Sequence, residues 1–191
     1  MIREVEEASG VPIISYWNAW NANICPNDVP SMHQLLSRIG KLDRAAIVIK
    51  SNGGDIESAL RLVHLLRRKV SYLKAYAFGD CASSATIMAL GADEIHMGPL
   101  AFLTPIDTSL AHELSPINEI QNQRVHVSRD ELTRIVRLWS DSAKEHHGNP
   151  YTDLFNHVHP LVFGAIDRSN SLSVKVCDEV LSYHIEDTEQ R

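Results

Sequence analysis

Ser83 and Ser84 stand at the head of an uncharged segment, Ala82 to Ala92, that predicts a helix buried on nearly all sides. Upstream, Ser51, Asn52, Gly53, Gly54 and Asp55 make a glycine-rich turn. A glycine turn can present bare backbone N–H groups to a developing oxyanion, and a serine at a helix N-terminus feels the positive end of the helix dipole. Together these are the parts of an acyl-transfer site. Each part also has a plainer use: serines cap helices, and paired glycines permit a tight turn with positive φ. Cys81, two residues before Ser83, reads as a small buried thiol packing the turn.

These residues need strands and helices to bring them together. Met1 to Ser9 predicts a short acidic helix ended by Gly10, and Ile13 to Trp17 a first strand. A helix opened by Pro30 and Ser31 carries Met32, Leu35, Leu36 and Ile39 at helical spacing and is closed by Gly40. Ala45 to Ile49 is a continuous apolar run, the sign of a buried parallel strand. After the glycine turn, Ile56 to Leu66 predicts a helix, Ser71 to Phe78 a strand, and Glu94 to Met97 another, with Leu100 to Leu103 a further candidate. This alternation predicts a parallel sheet from about Ile13 to Leu103, with right-handed crossovers and helices on both sides. The composition changes after Asp107: Thr108 to Val127 is polar and mixed. Ser128 and Glu131 then make a capping box for a helix to about His146, and Pro160 to about His184 predicts one long helix. The division expected is an α/β core over 1–107 and a helical extension of the same domain over 108–191.

The chain has 191 residues, 44% apolar and 22% charged, with a formal charge of −6, as in an ordinary soluble globule. It lacks the basic stripe that a nucleic-acid or anionic-membrane surface requires. Its three cysteines, with no CxxC, fit reduced thiols. No apolar run approaches the ~20 residues of a membrane span, and the acidic start MIREVEEASG lacks the apolar core of a signal peptide, so a cytoplasmic location is expected. The 10 histidines form no HExxH or paired Cys/His spacing, and neither a metal nor another cofactor is expected.

The residues around the two turns resemble the superfamily of Clp proteases, signal peptide peptidase A and crotonases. Clp subunits carry a strand ending in an N-S-P-G-G turn, where this chain has Lys50, Ser51, Asn52, Gly53 and Gly54. They carry the nucleophile as A-S at the head of a buried helix, here Ala82 and Ser83. The strongest resemblance is to the serine dehydrogenase proteinase family, with S-A-G-T-L-I-A-L-A-A-D-E-I-V-M-G-P followed by L-G-P-I-D. This chain has SSATIMALGADEIHMGP followed by Leu103, Thr104, Pro105, Ile106 and Asp107. The likeness is confined to the region of the two turns.

The resemblance implies a ClpP/crotonase-like α/β fold with flanking helices and a helical C-terminal third. It also implies a serine peptidase with Ser83 as nucleophile and an oxyanion hole from the N–H groups of Gly54 and Ser84. At the position where Clp subunits carry their histidine stand Ile106 to Thr108. Where related Ser-Lys enzymes carry a lysine, Gln123 to Arg134 holds Arg124, His126, Arg129 and Arg134. Arginine remains protonated and makes a poor base. His126 is therefore the first candidate for general base, since imidazole exchanges protons near neutral pH. Asp107, on the P-I-D motif, is a candidate to orient the base or bind substrate, or to form an Asx turn after Pro105. His157 and His159 are further candidates for the base, with a capping or surface role as the alternative. The expected partners are a peptide or protein substrate and other copies of the chain. Relatives form rings or stacks, and the last helix carries more apolar residues than one stripe needs. Two other functions stay open: a catalytically silent peptide-binding or scaffold relative, and a crotonase-like enzyme acting on acyl-coenzyme A.

Overall fold

A computed structural model describes residues 2–106, 109–143 and 150–191. The chain divides into two compact units, one of residues 1–106 and 175–191, the other of residues 107–174.

The first unit is built on a parallel sheet. Its strands are β1 (Ile13–Trp17), β2 (Leu42–Ser51), β3 (Val70–Cys81), β4 (Glu94–Met97) and β5 (Phe102–Leu103). The first four lie in chain order, and β5 pairs with the end of β3. Helix α1 (Ile2–Ser9) precedes β1; α2 (Asp28–Ile39), α3 (Ile56–Arg67) and α4 (Ser84–Leu90) form the crossovers. The register places Ala45 beside Leu73, Ile47 beside Ala75 and Ile49 beside Ala77. These alternate residues form one core with Met32 and Leu36 of α2, Leu62 and Leu66 of α3, and Ile87 and Met88 of α4. All three crossover helices therefore cover the same face, where the sequence pattern predicts helices on both. A parallel sheet whose strand order never reverses returns each right-handed crossover to one side.

The opposite face alternates with the core residues and carries longer, partly polar side chains: Trp17, Arg44, Lys50, Tyr72, Lys74, Tyr76 and Phe78. Aromatic contacts run across it. The Tyr76 and Phe78 rings stack at 6.2 Å, and the Lys50 ammonium sits 4.7 Å from the Trp17 ring.

The C-terminal residues of this unit pack against α3. Val176 and Val180 enter the core, His64 meets Glu179 at 2.9 Å, and the Arg67 guanidinium lies 5.4 Å from the Tyr183 ring. Arg67 also ties α3 to the turn before β4. It donates to the Gly91 carbonyl at 2.7 Å and to Asp93 at 2.7 Å, while Asp93 accepts the Leu73 N–H at 2.7 Å.

The second unit has two short antiparallel pairs. They are β6 (Ser109–Leu110) with β9 (Val127–Ser128), and β7 (Ile117–Asn118) with β8 (Gln123–Arg124). Helices α5 (Arg129–Ala143) and α6 (Pro150–Phe155) and the start of α7 (Pro160–Leu181) complete it. The expected capping box is present: Ser128 Oγ accepts the Glu131 N–H at 3.1 Å, and the Glu131 carboxylate accepts the Ser128 N–H at 2.9 Å. Val127, Leu132, Leu154, Val158, Val162 and Ile166 make its core. No helix among the described residues is long and apolar enough to cross a membrane.

Candidate functional site

The carboxyl ends of β1, β2 and β3 converge on the two turns singled out in the sequence. The backbone is bound tightly there. Asn18 N–H donates to the Lys50 carbonyl at 2.9 Å, and Ala82 N–H to the Ser51 carbonyl at 3.0 Å. The register between β2 and β3 shifts after Ile49: the three residues Ile49 to Ser51 of β2 lie opposite the five residues Ala77 to Cys81 of β3. Such a bulge re-aims the chain just before the serines.

Gly53 and Gly54 have φ of +98° and +144° and are wedged between two backbone segments. A Cβ on Gly53 would lie 2.7 Å from the Ala82 carbonyl oxygen, 2.7 Å from Ser83 Cβ and 3.1 Å from Ser84 N. One on Gly54 would lie 2.4 Å from the Ile24 carbonyl oxygen. Both positions thus need glycine for space as well as for φ. On the Gly54 side, Ile24 N–H donates to the Gly53 carbonyl at 2.8 Å and Asp55 N–H to the Ile24 carbonyl at 2.9 Å. In that one-residue parallel ladder the Gly54 N–H points to the edge away from Ile24. It makes no hydrogen bond among the described residues.

The loop carrying Ile24 is itself fixed. The Tyr16 hydroxyl donates to Asp28 at 2.8 Å, and the same carboxylate oxygen accepts the Cys25 N–H at 2.8 Å. Burial, with the Asp28 carboxylate alongside, pushes the Tyr16 phenol well above its ordinary range. Asn52 Nδ2 donates to the Trp20 carbonyl at 3.3 Å, which sets Trp20, 86% exposed, beside the glycine turn.

Ser83 has φ 51° and ψ −124°, one of two non-glycine residues with positive φ among those described. Helix α4 therefore starts at Ser84, after the Ala82 start that the composition predicts. Ser83 occupies the cap position, yet its side chain makes no capping hydrogen bond. The hydroxyl is partly exposed and has no hydrogen-bond partner among the described residues. Backbone strain of this kind costs of order 1–3 kcal/mol and persists where the surroundings over-determine it. Here the neighbours are Gly53 against the side chain and Thr104, whose hydroxyl accepts the Ser83 N–H at 2.7 Å. With the Ala82 and Ser83 N–H groups engaged, the Ser84 N–H is the next one and has no partner among the described residues. The Ser84 side chain is buried, and its hydroxyl lacks a partner too.

Cys81 is fully buried, its Sγ 3.4 Å from the Ala85 carbonyl, and burial pushes the thiol up to about 12. It packs the turn and offers no thiolate. Ser83, Ser84, Gly53 and Gly54 thus lie together in the first unit. His126 belongs to the second unit, on the wall of a cavity of about 410 Å³ with Val125, Val127, Leu132, Ile135 and Val158. Asp107 lies outside the described residues. His159 accepts the Leu161 N–H through Nδ1 at 3.2 Å and caps the start of α7. Among the described residues no three His, Cys, Asp or Glu side chains are grouped to hold a metal ion.

Thr104 and Ser51, whose hydroxyl accepts the Gly53 N–H at 3.1 Å, appear in the sequence motifs without a role, and the structure gives each one. The signal for Thr104 is the threonine that replaces glycine in the L-G-P-I-D pattern. No protein-family model matches the chain, and a comparison with curated proteins finds no match.

Proposed function

We propose that the protein is a serine peptidase of the Clp and signal peptide peptidase type, on a ClpP/crotonase-like core. The observation that carries this is the backbone of Ser83, held at positive φ with a hydroxyl that caps nothing. A helix-capping serine has no need of that conformation. A nucleophile on a sharp strand-to-helix turn does.

In this reaction Ser83 Oγ attacks the substrate carbonyl carbon as the general base takes its proton. The resemblance leaves His126 as the candidate for that base, and Asp107 as the candidate to orient it or to bind substrate. The tetrahedral oxyanion receives the free N–H groups of Gly54 and Ser84. The proton passes to the leaving amine, and water releases the acyl group from Ser83 by the same route. The exposed Leu161 and Val174 on α7 support a homo-oligomer, and a cytoplasmic location belongs to the same reading. A second reading, a catalytically silent peptide-binding relative, is favoured by one observation: no described residue accepts a hydrogen bond from Ser83 Oγ. Hydrolysis of an unfolded protein substrate separates the two. The peptidase reading expects cleavage that Ser83→Ala abolishes and Ser84→Ala largely spares; no cleavage by the wild-type chain supports the silent relative.

A further inference from the structure

We infer that Thr104 is a positioning residue, a latch whose side chain holds Ser83 in its positive-φ conformation. The inference rests on the peptidase reading of the same site. The pairing of β5 with β3 sets Leu103 opposite Cys81, so the next residue, Thr104, arrives beside the serine turn. Its Oγ1 accepts the Ser83 N–H at 2.7 Å, and its own proton is directed to the Pro105 carbonyl at 3.2 Å. With its proton so placed, the oxygen offers a lone pair to Ser83. The Thr104 backbone is anchored in turn. Thr86 Oγ1, on α4, lies 3.0 Å from the Thr104 carbonyl and 3.0 Å from the Cys81 carbonyl, and shares its proton between them. One threonine thus joins β5 to the residues on both sides of Ser83.

The latch has two consequences. It offsets the strain of φ 51° with a hydrogen bond that a relaxed Ser83 would not make, and so keeps the hydroxyl out of the capping position. It also occupies the Ser83 N–H, which leaves the Ser84 N–H as the donor next to Gly53. Thr104 does not touch the reacting atoms, and its effect passes through Ser83.

The test is Thr104→Val, which replaces the hydroxyl by a methyl group, beside Thr104→Ser, which keeps the hydroxyl, with Thr104→Ala as a second variant without it. Two readouts are needed. Amide hydrogen exchange resolved at Ser83 should be slow in the wild type and Thr104→Ser, and at least tenfold faster in Thr104→Val and Thr104→Ala. Peptide turnover should fall about ten- to hundredfold in kcat in those two, with KM within about twofold, and be restored in Thr104→Ser. A general packing defect would leave Thr104→Ser no better than Thr104→Ala and overturn the latch. A Ser83 amide equally protected in wild type and Thr104→Val would overturn it whatever the turnover. Lack of turnover in every protein, with the expected exchange pattern, would overturn the peptidase reading and leave the latch supported.

Discussion

Replacing Gly53 by alanine tests whether the glycine turn is packed against Ser83 as described. The substitution has two costs that a control can separate. The first is conformational: φ is +98°, where an L-residue is strained, at roughly 1–2 kcal/mol. The second is steric. The new methyl would sit 2.7 Å from the Ala82 oxygen and from Ser83 Cβ, and the oxygen belongs to backbone that is itself hydrogen-bonded through Ala85. Overpacking at such a site adds about 1–3 kcal/mol. Gly40 supplies the control. It has φ +82°, and a Cβ there would meet nothing within 4 Å. Gly40→Ala should therefore cost only the first part. Gly53→Ala should cost about 2–5 kcal/mol, a large share of the 5–15 kcal/mol typical of a domain. For a chain of this size that corresponds to a fall in Tm of roughly 4–20 °C. Thermal melts followed by circular dichroism, with urea titration as a check, measure both variants. Equal destabilisation by Gly53→Ala and Gly40→Ala would refute the close approach of the glycine turn to Ser83.

Two further outcomes concern the frame around the site. The Arg67 side chain is only 6% exposed and meets the Gly91 carbonyl and Asp93; Arg67→Met should cost roughly 3 kcal/mol in urea unfolding, because it leaves the Asp93 charge without its cation. The Tyr72 hydroxyl, then Lys74 and His96, hold the Glu94 carboxyl down at about 2. A carboxyl lowered in the folded state contributes stability above its unfolded value of about 4.5, and loses it as pH falls towards 2. Glu94→Gln should therefore lower Tm at pH 6 and leave it unchanged near pH 2; a deficit that persists at pH 2 would contradict this.

Local signals carried far in this sequence. The β-branched run at Ala45 to Ile49 lies within β2, and Ser128 with Glu131 forms the expected reciprocal cap. What eluded the pattern depends on partners distant in sequence. β3 runs on to Cys81, past the Phe78 end predicted, because Asp80 and Cys81 pair with Phe102 and Leu103. Helix α4 starts two residues late because Ser83 is turned to positive φ by neighbours from two other segments, Gly53 and Thr104. The crossover helices share one face because the strands lie in chain order, a property of the whole sheet that no single helix encodes. The return of residues 175–191 to the first unit rests on Val176 and Val180 in its core, with His64–Glu179 and Arg67–Tyr183 alongside, contacts that no spacing rule connects. At the site, the glycine pair is legible because close backbone approach leaves glycine as the usable residue, whereas the choice of Ser83 over Ser84 comes from the family resemblance. The base is not legible in the same way, since a side chain that must meet Ser83 can come from any segment the fold brings near.

The most direct measurement of the central claim is covalent labelling by a fluorophosphonate, mapped by mass spectrometry in the wild type, Ser83→Ala and Ser84→Ala. An activated Ser83 predicts one phosphonylated peptide carrying the adduct on Ser83, lost in Ser83→Ala and retained in Ser84→Ala. An unlabelled wild type, or an adduct on Ser84 that survives Ser83→Ala, would contradict it.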